Sequence, residues 1–310
     1  MSGLKGNLKD GYLRVWKKRG EKMAAIIGPA GNCEDFYGAG HKSSLEAPEW
    51  LVKMGLGAYE YQCGKGVKIS EEAAKKLGAR ALENGICLSV HAPYYISLSS
   101  VEPEKRDKSI DYILKTLKVA KAMGAKRIVV HSGTAGSITR KAALELAKDT
   151  LKRSLKAAKD AGFGDIFICP ETMGKVKQLG TVEEVAELCL LDEMLLPTID
   201  FGHVNSMSLG GLKTMNDFEK VFDILQKKLG GYRAANFHAH YSRIEYTNAG
   251  EKKHHRFDEK EYEPEFEPIA EIIAKRNLSP IIICESRGTQ TKDAVEMQKI
   301  CRRFEDVYKA

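Results

Sequence analysis

An α/β fold, a single-domain (β/α)8 TIM barrel, is predicted by two features of the sequence. From Met23 onward, short apolar runs alternate eight times with longer charged segments whose apolar residues recur three and four apart. The short runs are near-continuously apolar, as in parallel strands covered by helices, and eight such units in 290 residues suit a closed barrel. A doubly wound open sheet is the competing arrangement.

The strands are expected at MAAIIG (23–28), AYEYQ (58–62), CLSVHA (87–92), RIVVHSG (127–133), IFICPE (166–171), LLPTID (195–200), AANFHAH (234–240) and PIIICES (280–286). Helices over 105–124 and 138–162 each close on Gly, which accepts the left-handed conformation after a helix end. Thr181 and Glu184 have the spacing of a reciprocal cap at the start of another, and the segment from Thr291 to the end supplies the eighth helix. No linker or low-complexity stretch divides the barrel domain, 23–310.

Composition narrows the class further. At 310 residues, 43% hydrophobic and 29% charged, the chain can bury a sizeable core. It lacks an apolar run long enough for a membrane span and an N-terminal secretory signal. Seven Cys are scattered without a CxxC pair, and Cys87, Cys169 and Cys284 sit in strand-like runs, so a reducing, cytoplasmic setting is expected. The net charge of +7 is concentrated in residues 1–22, where seven bases and two acids give +5. That segment is expected to be a basic N-terminal extension, and the remaining +2 is weak evidence for a polyanion partner.

The chemistry is expected where the strands end. In a barrel of this kind the C-terminal ends of the strands converge on one mouth. Strand 3 delivers His91, strand 4 His131, strand 5 Glu171, strand 6 Asp200 followed by His203, strand 7 His238 and strand 8 Glu285; His254 lies in the loop after strand 7. Carboxylates crowded on one rim repel and raise one another's pKa unless a cation lies among them. Mixed imidazole and carboxylate donors suit Zn²⁺, with Mn²⁺ or Fe²⁺ possible, and the number of donors suffices for two or three ions. His41, His240 and His255 are expected to face solvent or to stand behind the ligands.

The order of these residues, in SVHAPYY, VVHSG, CPETMG, TIDFGHVNS, NFHAHYS, the KHH loop and CESRG, resembles endonuclease IV, the zinc-dependent DNA repair family that incises beside abasic sites, within the xylose-isomerase-like barrels. The resemblance implies a first zinc held by His91, His131 and Glu171. It implies a second held by Glu171, Asp200, His238 and Glu285, with Glu171 and Glu285 the catalytic carboxylates. A third zinc would take His203 and His254, but Lys252 stands where the family has Asp. An ammonium cannot ligate while protonated. Three outcomes stay open: a two-ion site, a substitute such as Asp258, or Lys252 meeting an anionic oxygen of the substrate.

Tyr94, in HAPY, matches a family position that contacts DNA. The implied function is a metal-dependent phosphodiester hydrolase, an abasic-site endonuclease in DNA repair acting as a monomer on DNA containing abasic sites. The run 258–267, with six acids and one Lys, sits awkwardly near a phosphate backbone and is read as the acidic start of a helix. A metal-dependent sugar isomerase or epimerase is the alternative, and a non-enzymatic zinc-holding or nucleic-acid-binding barrel comes third.

Overall fold

The computed structural model describes residues 25–309; the basic segment 1–22 and Met23 lie outside the described residues. Seven parallel strands come first: β1 (Ile26–Pro29), β2 (Ala58–Gln62), β3 (Cys87–His91), β4 (Arg127–His131), β5 (Phe167–Glu171), β6 (Thr198–Asp200) and β7 (His238–Tyr241). An antiparallel hairpin, β8 (Arg243–Thr247) and β9 (Gly250–His255), interrupts the pattern outside the sheet, and β10 (Ile281–Cys284) is the eighth barrel strand.

The strands lie in the order β1-β10-β7-β6-β5-β4-β3-β2, so each barrel strand neighbours the next in sequence. The ring closes between β1 and β2, where Gly57 N donates to Ile27 O and Gly31 N to Glu60 O, both at 2.9 Å. A Cβ on Gly28 would stand 1.7 Å from the Ala58 carbonyl oxygen, so this seam requires glycine.

The helices are α1 (Glu34–Gly38), α2 (Ala47–Lys53), α3 (Glu71–Asn84), α4 (Pro103–Met123), α5 (Arg140–Asp160), α6 (Val182–Cys189), α7 (Phe201–Met207), α8 (Met215–Ala235), α9 (Glu267–Lys275) and α10 (Gln290–Lys309). The caps read from sequence are present. Gly124 follows α4 at φ 70°, and at the start of α6 the Thr181 hydroxyl accepts from Glu184 N while the Glu184 carboxylate accepts from Thr181 N. Strand 7 starts later than expected, because α8 runs on to Ala235.

Alternation along the strands divides the core in two. Ile128, Val130 and Ile168 join the large apolar layer under the helices, whereas Val129, Phe167 and Cys169 form a separate small cluster with Leu196. His131 and Glu171 continue that second face two residues on, so the barrel interior is apolar at one end and ionisable at the other. All seven cysteines are buried free thiols, and burial pushes Cys87, Cys169 and Cys284 up to about 12. No helix among the described residues is long and apolar enough to cross a membrane.

Candidate metal centre

Among the described residues the candidate donors form five groups, in each of which the ligand atoms lie within 4.8 Å of one another. Glu60, His238 and His240 make one beneath the mouth, His91, His240 and Glu285 another that overlaps its neighbours, and the remaining three divide the mouth between them. The first is His91, His131 and Glu171. Their strands are adjacent, with His131 beside Glu171 and His91 beside Val129, two residues before His131. His91 Nε2 and His131 Nε2 approach Glu171 Oε2 at 3.4 and 3.2 Å.

The second set is Glu171, Asp200, His240 and Glu285. His240 Nδ1 lies 2.7 Å from Glu171 Oε1 and 3.5 Å from Glu285 Oε1, so Glu171 joins the first set to the second. Asp200 ends β6 and caps α7: its Oδ1 accepts from His203 N at 2.9 Å. An acid and an imidazole three apart at a strand end are thus an N-cap and the residue that binds it, both turned to the mouth. Asp200 Oδ2 is buried and makes no hydrogen bond. His203 Nδ1 approaches it at 3.2 Å, but that nitrogen donates to Thr172 O at 2.9 Å. An orphaned carboxylate oxygen amid imidazole nitrogens is what a cation would satisfy.

Here the structure departs from the sequence reading. His238 was expected among the donors and His240 to stand aside; the geometry instead gathers His240 with Glu171, Asp200 and Glu285. Both point inward by the period of two, but His238 pairs in register with Thr198 and His240 with Asp200, so His240 occupies the layer of the mouth. His238 lies beneath it, fully buried, with Nε2 3.0 Å from Glu60 Oε2. Burial pushes the His238 imidazole down to about 4.

The third set is His203, Glu251 and His254. Glu251 Oε2 lies 3.6 Å from His203 Nε2, and its Oε1 lies 3.5 Å from His254 Nε2. Lys252 is not among them. In a regular strand, side chains two apart share a face, which would pair His254 with Lys252. The hairpin register shifts between Glu245 and Tyr246, with Lys253 opposite Glu245 and Glu251 opposite Tyr246, leaving Lys252 as the bulged residue. The bulge turns Glu251 to the mouth and Lys252 away to Glu245 Oε1, 2.5 Å off. Asp258, the other proposed substitute, is 67% exposed beside Arg256 and plays no part.

The hairpin is pressed onto the loop after β5, where Glu251 N donates to Gly174 O at 2.9 Å. A Cβ on Gly174 would come within 2.8 Å of both Glu251 and His203. On the outer side, Arg243 binds both oxygens of Glu265, at 3.1 and 2.6 Å. The acidic run is therefore not a helix start; only its last residue, Glu267, lies in α9, and Glu259 and Glu265 brace the hairpin.

Electrostatics follow the crowding. Burial alone would lift the Glu171 carboxyl, but His240, His131 and His91 hold it well below the usual range. Burial lifts the Glu285 carboxyl against the pull of His240, and the Asp200 and Glu171 carboxylates add to the rise. Burial opposes the charge on His254, yet Glu251, Glu285 and Asp200 bring it up to about 9, and Glu171 does the same for His91. The crowded carboxylates thus favour positive charge at His91 and His254, as they would favour a cation.

Tyr94 and Tyr95 stand half exposed on the loop after β3, ring centroids 4.5 Å apart, with Tyr94 N donating to Gly64 O across the rim.

A family model described as a xylose isomerase-like TIM barrel matches residues 48–303. An uncharacterized protein of Methanocaldococcus jannaschii is 32% identical over 258 residues, which is 83% of this chain and 92% of that one. A probable endonuclease 4 of Listeria monocytogenes is 30% identical over 164 residues, 50% of this chain; the chain spans about half, 52%, of that relative. Among solved structures, a D-tagatose 3-epimerase-like protein matches with TM-score 0.64 at 21% identity, covering 84% of this chain and 92% of that chain. Endonuclease IV from Thermus thermophilus matches with TM-score 0.62 at 18% identity, covering 91% and 98%. At these identities the structural likeness speaks to the fold.

Proposed function

Because the chain belongs to the xylose isomerase-like TIM barrel family, we propose that it is a zinc-dependent phosphodiester hydrolase that incises DNA at abasic sites. The observation that carries this reading is the size of the donor set. Three clusters joined through shared or neighbouring residues exceed what one ion needs, and adjacent cations suit a phosphoryl displacement. Mixed nitrogen and oxygen donors favour Zn²⁺ over Mg²⁺.

His91, His131 and Glu171 would hold one ion, Glu171, Asp200, His240 and Glu285 a second, and His203, Glu251 and His254 a third. Bound divalent ions supply Lewis-acid polarisation of the phosphodiester and lower the pKa of water. Glu171 links two of the sets and orients what lies between them. Glu285, 17% exposed at the mouth, would complete the second ion's donors on the side open to entering water. Tyr94, exposed on the rim, offers a face for an unstacked base. Lys252, paired with Glu245 and turned from the mouth, is left no direct part in substrate binding.

The epimerase reading rests on Glu171, Asp200, His240 and Glu285 alone, one ion between two glutamates. It leaves His91, His131 and the whole hairpin set without work.

The discriminating experiment offers the zinc-loaded protein a duplex with one abasic site and, separately, a ketohexose. Strand cleavage beside the lesion, lost on chelation and restored by Zn²⁺, is expected. Epimerisation of the sugar without cleavage would overturn the nuclease reading.

A further inference from the structure

Beneath the second donor set lies a carboxylate that none of the ligand sets at the mouth employs. Glu60 sits in the middle of β2, fully buried. Its Oε2 accepts from Ser89 Oγ at 2.8 Å and faces His238 Nε2 at 3.0 Å; its Oε1 accepts from Gln62 Nε2 at 3.2 Å and lies 3.0 Å from His240 Nε2. A buried carboxylate is costly, so four neighbours converging on one from three strands call for a reason.

The reason is legible in the ring orientations. His91 Nδ1 lies 2.8 Å from Ala92 O, His203 Nδ1 donates to Thr172 O at 2.9 Å, and His254 Nδ1 is 2.8 Å from Ser242 Oγ. These three, with His131, turn Nε2 to the donor sets. His240 is reversed. Its Nδ1 faces Glu171 and Glu285, and its Nε2 faces Glu60.

A neutral imidazole has one N–H and one lone pair, and a ligand must show the lone pair to the ion. For His91 and His203 a carbonyl oxygen fixes which nitrogen that is; for His240 an anion does. Both nitrogens face carboxylates, Nδ1 at 2.7 Å from Glu171 Oε1. With an ion among Glu171, Asp200 and Glu285 the Nδ1 lone pair is satisfied, whereas a lone pair on Nε2 would still face a carboxylate oxygen at 3.0 Å, so the proton belongs on Nε2. The contact falls short of a straight hydrogen bond, and charge more than direction carries it.

We propose that Glu60 is a positioning residue: it keeps the proton of His240 on Nε2 and so presents Nδ1 to the ion shared with Glu171, Asp200 and Glu285. Ser89, Gln62 and His238 hold the Glu60 carboxylate in the orientation this requires. The inference rests on the reading of the mouth as a metal centre.

The test loads the full chain, wild type and Glu60→Gln, with Co²⁺. Visible absorption follows the binding and elemental analysis counts the ions. Glu60→Gln is expected to bind one ion about 10- to 100-fold more weakly with a shifted cobalt band. The other ions should stay unchanged, and Glu60→Asp should recover part of the loss. Wild-type affinity and spectrum in Glu60→Gln would overturn the role of Glu60 alone. An ion beyond three that vanishes in the variant would overturn it too, since Glu60 would then be a ligand. If the wild-type chain takes up no cobalt, the metal reading falls and this inference with it.

Should Glu60→Gln not fold, long-range proton–nitrogen correlation on the zinc-loaded wild type gives the answer. One ring carrying its proton on Nε2 with Nδ1 on the metal, against four of the opposite sense, is expected; five alike would overturn the proposal.

Discussion

At the rim, one inserted residue exchanges an ammonium for a carboxylate. Spacing alone pairs His254 with Lys252, because strands repeat every two residues; the bulge makes Glu251 the partner at a separation of three. A carboxylate at the mouth and a lysine turned away give opposite expectations for the two substitutions. Glu251→Gln should lose one bound ion of three after dialysis, with the remaining two retained, while Lys252→Ala should keep all three. Elemental analysis decides, and loss of an ion in Lys252→Ala would return that residue to the site. The same parity explains His238 and His240, which sequence presents as equals. Both face inward, and only the register against Asp200 shows which one reaches the mouth. His91, His131, Glu171, Asp200 and Glu285 were legible because each stands at or just past the end of a strand recognisable by its apolar run. Glu60 was not, because nothing in AYEYQ separates an inward glutamate from one on an edge.

Among the elements, the start of α6 was the most fully readable, and its partner the least. Thr181 and Glu184 declare the cap by spacing, but Arg140, on the preceding helix, supplies two hydrogen bonds to the same carboxylate, 2.8 and 2.6 Å long. Gly180 N and Thr181 N donate to Glu184 as well, at 2.8 and 2.9 Å. Burial alone would raise this carboxyl, yet Arg140 and the two backbone donors together hold it below the ordinary 4.5. A carboxyl depressed in the folded state contributes stability that is complete above the unfolded value and fades as pH falls through the folded one. Glu184→Gln should therefore cost about 1–3 kcal/mol at neutral pH, as expected for a charged hydrogen-bonded group replaced by a neutral one. The gap between variant and wild type should narrow in denaturant melts as pH drops below about 4. A constant gap down to the acid limit would show that packing, not charge, carries the contribution. The hairpin reads in the sequence only as a loop after strand 7: its strands are short, polar and braced by acids that resemble a helix start, and no apolar run announces them.

For the whole molecule, the metal reading makes a statement about stability as well as chemistry. The donors come from β3, β4, β5, β6, α7, β7, the segment after β10 and the hairpin, so ions at the mouth would tie together strands from most of the ring. Without cations, four carboxylates, Glu171, Asp200, Glu251 and Glu285, are held together in one well, and imidazolium charge must offset them. Closure of the barrel itself depends on main-chain contacts at the β1–β2 seam and not on the donors, so the metal-free chain should remain folded. Zn²⁺ that binds the folded form alone stabilises it by mass action, about 2.7 kcal/mol at one hundred times the dissociation constant of one site. In a domain somewhat above 250 residues that corresponds to a rise of roughly 4–5 °C in Tm. Thermal melts of chelated protein should climb with added Zn²⁺ in this way and respond far less to Mg²⁺, which demands oxygen donors that the imidazoles do not supply. Melting curves that coincide with and without Zn²⁺ would separate the gathered donors from any shared ion, and the proposed nuclease chemistry would lose its basis.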